Sequence, residues 1–188
     1  MTKETPNVFL QGDMIDLLPL NSEHASLYVK WENSPEVRVY ARNSIPITME
    51  EMKKDLETQK EGLKKEIVFE VFHKEDKKPI GYCVINDINY LDCNAYFGLV
   101  IGEKEYWGQN IATETARLLV KYAFNELNLN KLYAKICTLN TGSWRAAEKN
   151  RFIREGLFKK DAYIGGKFLD TYVYSLLRED WSNNVENE

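Results

Sequence analysis

Residues 94–127 contain the strongest structural pattern in the chain, a strand followed by a short loop and an amphipathic helix. In the second half of this segment the apolar residues recur at steps of three and four positions, which places them on one helix face: Ala112, Ala116, Leu119, Val120, Ala123 and Leu127. In the first half, Asn94 to Ile101 is rich in apolar and aromatic residues, as strands are. The segment therefore predicts a strand that leads through a loop into the best-defined helix of the chain.

The loop between this strand and this helix has the features of an anion site. The first N–H groups of a helix have no partner within the helix, and they lie at the positive end of its dipole, where phosphate groups commonly bind. Gly108 leaves room for a ligand to approach the backbone, and Asn110 tolerates a left-handed conformation. The loop lacks both the GK[ST] of a P-loop and the GxGxxG of a dinucleotide fold. The pattern alone fits a phosphate site and a tightly packed turn equally well.

The rest of the chain alternates between strand and helix signals. Strands are predicted over residues 14–20, 67–72, 79–88, 94–101, 132–137 and 168–177, and helices over residues 23–31, 49–65, 112–127 and 143–150. Pro35 begins another short helix, Thr48-x-x-Glu51 is a capping box, and Gly165-Gly166 is the turn of a closing hairpin. This order predicts an α/β fold with a mixed, mostly antiparallel sheet. We expect one domain over residues 8–181, with polar tails at 1–7 and 182–188.

Length, composition and charge exclude several classes of protein. The 188 residues suffice for one domain, and the hydrophobic (44%) and charged (29%) fractions are those of a globular protein. No apolar run is long enough for a signal peptide or a membrane span, so we expect no membrane association. The net charge of -4 and the lack of a basic stripe argue against nucleic acid as a partner.

The cysteines and histidines are few and scattered. Cys83, Cys93 and Cys137 form an odd set without close pairing, which favours a reducing compartment and a cytoplasmic location. The histidines, His24 and His73, belong to no cluster with zinc-ligand spacing, so we predict no metal site. A GxSxG nucleophile elbow is also missing, which argues against a serine hydrolase.

Three stretches resemble the GNAT N-acetyltransferases, and the similarity runs from about residue 8 to residue 181. The first is EKEYWGQNIATETARLLVKYAFNELNLNKLYA, residues 103–134, which is similar to the cofactor-binding segment of the family. The second is NTGSWRAAEKNRF, residues 140–152, which resembles the N-x-x-S…E-K-x-G-F block. The third comprises YIGGKFLD and YSLLREDW near the C-terminus. The likeness is greatest to the branch of ribosomal-protein N-terminal and spermidine acetyltransferases, and it implies a splayed central sheet flanked by helices.

The resemblance implies a site for acetyl-coenzyme A. The family signature Q/R-x-x-G-x-G/A, which holds the pyrophosphate, matches Trp107, Gly108, Gln109, Asn110, Ile111 and Ala112, and Thr113 follows it. Trp107 and Asn110 depart from the signature and Gln109 is uncharged, so we expect binding to rely on backbone N–H groups. The strand that precedes the loop would pair with the pantetheine arm and polarise the thioester carbonyl through Leu99, Val100 and Ile101. The second block adds Asn140, Ser143 and Lys149, although Asn140 also fits a helix cap.

The resemblance implies an incomplete set of catalytic groups, because two residues that relatives often use are replaced in this chain. Many relatives protonate the departing thiolate with a tyrosine where this chain has Ala147, which leaves Ser143 as the expected proton donor or, alternatively, a helix cap. The family often has a glutamate at the position of Tyr96, and we include that position in the expected catalytic set. Glu70 and Asp87 lie on neighbouring strands, and either would act as a base through a water molecule. We choose Asp87, which also fits a solvent-facing position.

The resemblance further implies transfer of an acetyl group to a primary amine, either a protein N-terminus or a small molecule, by direct attack in a ternary complex. Tyr40, Arg42 and Tyr163 are candidates for the acceptor pocket, although surface packing explains them equally well. The segment around Arg42 is neutral to basic, which argues against a polycation. A non-catalytic acyl-CoA-binding module and a purely structural domain remain as alternatives. Dimers are common among relatives, which makes a homodimer a candidate assembly, but the sequence leaves both the oligomeric state and the acceptor open.

Overall fold

The computed structural model describes residues 7–42, 44–58 and 62–185. Eight strands form one sheet in the order β1-β2-β3-β4-β5-β6-β8-β7. The strands are β1 (Leu10–Gln11), β2 (Ile15–Pro19), β3 (Ile67–His73), β4 (Lys78–Asn89), β5 (Asn94–Ile101), β6 (Lys131–Cys137), β7 (Ile153–Ile164) and β8 (Lys167–Leu177). The helices are α1 (Ala25–Asn33), α2 (Pro35–Ala41), α3 (Met49–Glu57), α4 (Ile111–Asn125), α5 (Thr141–Lys149) and α6 (Arg178–Val185). The predicted mixed, mostly antiparallel α/β architecture is confirmed.

The sheet is divided at its centre by the pair β5 and β6. These two strands are parallel, and they pair only over Asn94–Tyr96 with Lys131–Tyr133. The neighbouring pairs β4–β5 and β6–β8 are antiparallel and continue along nearly the full strands. Beyond residues 96 and 133 the two halves therefore diverge, and the second half of β5 has no strand beside it on that side within the described chain.

Helices cover both faces of the sheet. The ring of Phe69 in β3 contacts Tyr122 of α4 edge-on, with centroids 5.5 Å apart. The next residue, Glu70, is bonded to His24 and Tyr28 at the start of α1. Because successive side chains of a strand point to opposite faces, α4 packs on one face and α1 on the other. Four residues of the apolar stripe predicted for α4 are buried with β2 to β6, namely Ala116, Leu119, Val120 and Ala123, which confirms the helix and its inward face. Ala112 is partly buried, and Leu127 lies beyond the end of the helix at Asn125.

Some predicted boundaries differ from the structure. Helix α3 begins with the predicted capping box, in which both Thr48 and Glu51 bond to backbone N–H groups, but it ends at Glu57 rather than residue 65. Thr58 is extended there, and both its backbone N–H and its hydroxyl donate to the Lys54 carbonyl, at 3.0 and 2.7 Å, which closes the last turn. Helix α6 reaches Val185, whereas residues 1–6 and 186–188 of the predicted tails lie outside the described residues. Within the described ranges, no helix has the length and apolarity needed to cross a bilayer.

Candidate active site

A cleft of about 740 Å³ opens where β5 and β6 separate. One wall is the second half of β5 together with Tyr82 and Val84 of β4, and the other is the end of β6 with α5. The loop before α4 closes one end, and the C-terminal part of α2 lines the cleft beside this loop, with the Tyr40 and Trp107 ring centroids 6.4 Å apart. The cleft thus passes from the α4 face of the sheet to the α1 face through the gap between the two strands.

The backbone of β5 presents polar groups to this cleft. Gly102 N–H donates to the Ile80 carbonyl at 2.8 Å, which marks residues 98, 100 and 102 as those that exchange hydrogen bonds with β4. In an antiparallel pair the alternate residues direct their N–H and C=O groups away from the partner strand. Leu99 and Ile101 therefore direct theirs toward the gap, whereas Val100 is paired with Tyr82. The indole Nε1–H of Trp107 donates to the Ile101 carbonyl at 2.8 Å, which fixes the edge of the loop.

The loop before α4 is held open by two residues in left-handed conformations. Gly108 has φ +79°, and a Cβ built on it meets no atom within 4 Å. Asn110 has φ 63°, as expected for a residue that tolerates this region, and it is the N-cap of α4 without using its side chain as a cap. Instead, the Asn110 Oδ1 atom accepts a hydrogen bond from Lys149 Nζ at 2.7 Å. The first turn of α4 thus keeps its free N–H groups directed at the cleft, with an ammonium group beside them.

Helix α5 contributes the opposite wall. Asn140 Oδ1 accepts the Ser143 N–H at 3.2 Å, so the N-cap alternative for Asn140 is realised. Ser143 lies in the first turn, is half-buried and lines the cleft, so it is not itself the cap. Ala147 is buried one turn further along the same helix. Helix α5 therefore offers two hydroxyls to the cleft, those of Thr141 and Ser143, and Ser143 is the more buried of the two.

Cations dominate the charged groups of the cleft. Among the described residues that line it, the charged side chains are Arg42, Lys135, Arg145 and Lys149, and none is acidic. Arg42 donates to the backbone carbonyl of Asp161 at 3.1 Å and lies 3.5 Å from its carboxylate. Lys135 Nζ lies 5.3 Å from the ring centroids of Tyr96 and of Phe158. A polyanionic ligand would meet a favourable potential along this cleft.

Five residues considered from the sequence lie outside the cleft lining. Asp87 is exposed on a bulge of β4 with φ 52°, and its carboxylate is 3.4 Å from Asn86 Nδ2, so it takes the solvent-facing alternative and lies off the cleft. Tyr96 stacks against Tyr133 at 5.3 Å, before the strands diverge. The Gln109 amide turns back to the Glu105 carbonyl at 2.5 Å. Two other candidates are placed elsewhere, one buried under α1 and one exposed at the hairpin tip: Glu70 and Tyr163.

Sequence reasoning misses several lining side chains, among them Tyr82, Lys135 and Arg145. The alternation of β4 places Tyr82 and Val84 on one face, but it does not say which face meets the gap. Tyr82 is half-buried, and its hydroxyl donates to the carboxylate of Glu32 in α1. Burial, reinforced by the charge of Glu32, raises the pKa of the Tyr82 phenol, which therefore stays protonated at neutral pH.

Comparisons with known proteins agree with this geometry. The family model described as acetyltransferase (GNAT) domain matches residues 15–153. An uncharacterized N-acetyltransferase p20 of Bacillus licheniformis is 29% identical over 92% of this chain and 98% of its own length. A probable N-acetyltransferase YjcK of Bacillus subtilis is 34% identical over 71% of this chain and 75% of its own. Among solved structures, spermidine N-acetyltransferase of Vibrio cholerae, in complex with CoA and spermine, superposes with a TM-score of 0.83 over 92% of this chain and all of its own at 21% identity.

The matched segment spans β2 to the start of β7 and so contains the divergent strands, the loop before α4 and α5. These are the elements that build the cleft, and the relatives are named as enzymes, so nothing favours the non-catalytic alternative. The chain belongs to the GNAT acetyltransferase family and is an acetyl-CoA-dependent N-acetyltransferase.

Proposed function

We propose that the cleft holds acetyl-CoA between β5 and β6 and that an amine attacks its thioester directly, in a ternary complex. The observation that carries this proposal is the gap itself, where Leu99 and Ile101 direct backbone groups that no neighbouring strand uses. An extended pantetheine arm would add to β5 as an additional strand does, with its amides on these groups. The backbone N–H of Leu99 or Ile101 would then donate to the thioester carbonyl as negative charge develops on its oxygen.

The pyrophosphate would lie at the first turn of α4. The N–H groups of Ile111, Ala112 and Thr113 are available there, and Lys149, held by Asn110, supplies the charge that Gln109 lacks. Once the tetrahedral intermediate collapses, CoA leaves as a thiolate and takes up a proton, for which Ser143 is our candidate donor. A thiol has a pKa of about 8.5, so this proton transfer makes a small contribution to the barrier.

We infer that the acceptor is an α-amine at a protein N-terminus or in a small molecule, rather than a polyamine. The solved relative binds spermine, but the α1 side of this cleft, where we place the acceptor, carries Arg42 and Lys135, and none of the described residues that line the cleft is acidic. A polycation would be repelled there. An α-amine, with a pKa of roughly 7.7–8.0, also loses its proton more readily than a lysine-like amine with a pKa of about 10.4.

A thiol-release assay with acetyl-CoA tests the function. The panel contains alanine- and serine-starting peptides, spermidine, an aminosugar and an aminoglycoside. We expect release with the peptides and little with spermidine. Release with spermidine alone would refute the acceptor class, and binding of acetyl-CoA without release from any amine would refute turnover.

We further propose a cytoplasmic homodimer. The free cysteines fit a reducing compartment, and β7, at the end of the described sheet, exposes Ile153, Leu157 and Phe158. An apolar edge strand of this kind readily pairs with another chain. Light scattering should give twice the chain mass of 22.0 kDa, and Leu157→Lys should reduce it to the monomer mass.

A further inference from the structure

On the α1 side of the cleft, Tyr82 of the sheet is hydrogen-bonded to Glu32 of α1. Tyr82 lines the cleft and pairs with Val100 of β5. Val100 is flanked by Leu99 and Ile101, the residues that direct their backbone groups into the gap. Its hydroxyl donates to Glu32 Oε1, and Glu32 is half-buried near the end of α1. The Tyr82 phenol, on the strand beside β5, is thus in direct contact with the Glu32 carboxylate, which does not itself line the cleft.

The end of α1 is firmly placed by its other contacts. Trp31 is fully buried, and its Nε1–H donates to Glu103 Oε1 at 2.8 Å. Asn33 exchanges two hydrogen bonds with the backbone of Ile47, at 2.8 and 3.0 Å. Glu32 lies between these two anchors, so its carboxylate is held against Tyr82 by the packing of α1.

Two charged groups of the described residues near this pair, Lys30 and Glu70, have partners of their own. Lys30 of α1 bonds to Glu103 of the β5–α4 connection at 2.6 Å. On β3, Glu70 lies opposite Tyr82 and is bonded to His24 Nδ1 at 2.7 Å and to the Tyr28 hydroxyl at 2.6 Å. Glu70 is therefore committed to the α1 interface, whereas Glu32 is directed at a side chain of the cleft.

We propose that Tyr82 and Glu32 form a relay that removes the proton of the acceptor amine. As the ammonium nitrogen gives its proton to the Tyr82 oxygen, the phenolic proton passes to Glu32 Oε1, and the neutral amine is left with its lone pair. That lone pair forms the new C–N bond and the C–S bond breaks. The extra proton that remains on nitrogen passes through the Ser143 hydroxyl to the departing thiolate, which leaves a neutral amide and the free thiol of CoA. Glu32 returns its proton to solvent after the product departs. This inference rests on the proposed direct transfer to an α-amine, and it assigns a base where Asp87 and Tyr96 lie off the cleft.

The relay has a specific kinetic signature because it is needed only while the amine is protonated. General bases contribute about 10²–10⁴-fold to rate. We expect Glu32→Gln to lower kcat/KM for an alanine-starting tetrapeptide about 100-fold at pH 6.5. At pH 9, above the pKa of roughly 7.7–8.0 of an α-amine, the deficit should shrink to a few-fold, because the amine is already neutral.

The variants are chosen to separate proton transfer from structure. Tyr82→Phe keeps the ring and removes the hydroxyl, and it should show the same deficit and the same recovery at high pH. The double variant should be no slower than Tyr82→Phe alone, because the two groups act in series. Glu50→Gln, at an exposed position in the first turn of α3, is the matched control and should retain wild-type rates at both pH values.

The outcomes of these assays distinguish a proton relay from a structural role of Glu32. Wild-type rates for Glu32→Gln at pH 6.5 would overturn the relay, and a deficit that is equal at pH 6.5 and pH 9 would show that Glu32 only positions α1. If the wild-type enzyme itself releases no thiol with the peptide, the proposed acceptor fails, and the relay to an α-amine fails with it.

Discussion

Gly108 is the residue at which a substitution most directly tests the proposed pyrophosphate site. Its φ of +79° strains any L-residue by about 1–2 kcal/mol, but a Cβ there points into open space. The Gly108→Glu variant should therefore still fold, and its new carboxylate would lie beside the free N–H groups of α4. Two unit charges about 5 Å apart repel by about 3 kcal/mol at an effective dielectric constant of about 20. Since 1.4 kcal/mol is a factor of ten, the charge of Gly108→Glu should weaken CoA binding roughly 100-fold.

Calorimetric titration with CoA measures this loss, and two further variants isolate its cause. Gly108→Gln has nearly the same shape without the charge, and Gly108→Ala carries only the backbone strain. All three should lower Tm by about 2–8 °C, since about 1 kcal/mol shifts Tm by about 2–4 °C in a chain of this size. Equal affinity of the Gln and Glu variants would refute the reasoning, because it would mean that no anionic group of CoA lies near Gly108.

Three further predictions concern stability. Gly102→Ala places a Cβ 2.2 Å from the Cγ atom of the buried Trp31, so we expect a loss of about 3 kcal/mol in the free energy of unfolding, measured with urea. Glu114→Ala removes the carboxylate oxygen that accepts three backbone N–H groups of the β1–β2 turn, at 2.5, 3.0 and 3.4 Å, and it should cost about 2–3 kcal/mol in the same assay. Burial raises the pKa of Glu103, but the hydrogen bonds from Lys30 and Trp31 outweigh it and hold that pKa below its usual value. A lowered pKa means that this stabilisation is present above about pH 4.3 and is lost as the pH falls further. The unfolding midpoint of Glu103→Gln should therefore fall less than that of the wild type below this pH, and parallel midpoints would contradict the assignment.

The local structure of the loop before α4, and of α4 itself, can be predicted from the sequence because it depends on neighbouring residues. The spacing of Ala116, Leu119 and Val120 predicts the buried face of α4, since a helix repeats every 3.6 residues whatever surrounds it. The left-handed conformation of Asn110 follows from the tolerance of its short side chain for that region. The capping box at Thr48 predicts where α3 begins, but nothing in the pattern predicts that the helix ends at Glu57.

The positions of the candidate site residues are less readable, because they depend on contacts between distant segments. The resemblance supplies Ser143 and Lys149, which lie on one continuous block and reach the cleft together. The exposed position of Asp87 follows from a bulge in the β4–β5 pairing, which the alternation of either strand alone does not reveal.

The sequence by itself therefore determines most of the elements, the conformational preferences of the loop before α4 and the family of this protein, since each depends on residues close together along the chain. The tertiary structure decides two further matters. It ends the pairing of β5 and β6 after Tyr96 and so opens the cleft, because strand divergence depends on how the whole sheet twists and packs. It also brings Glu32 to Tyr82 across fifty positions of sequence, a contact that exists only because α1 packs on the sheet face that meets the gap.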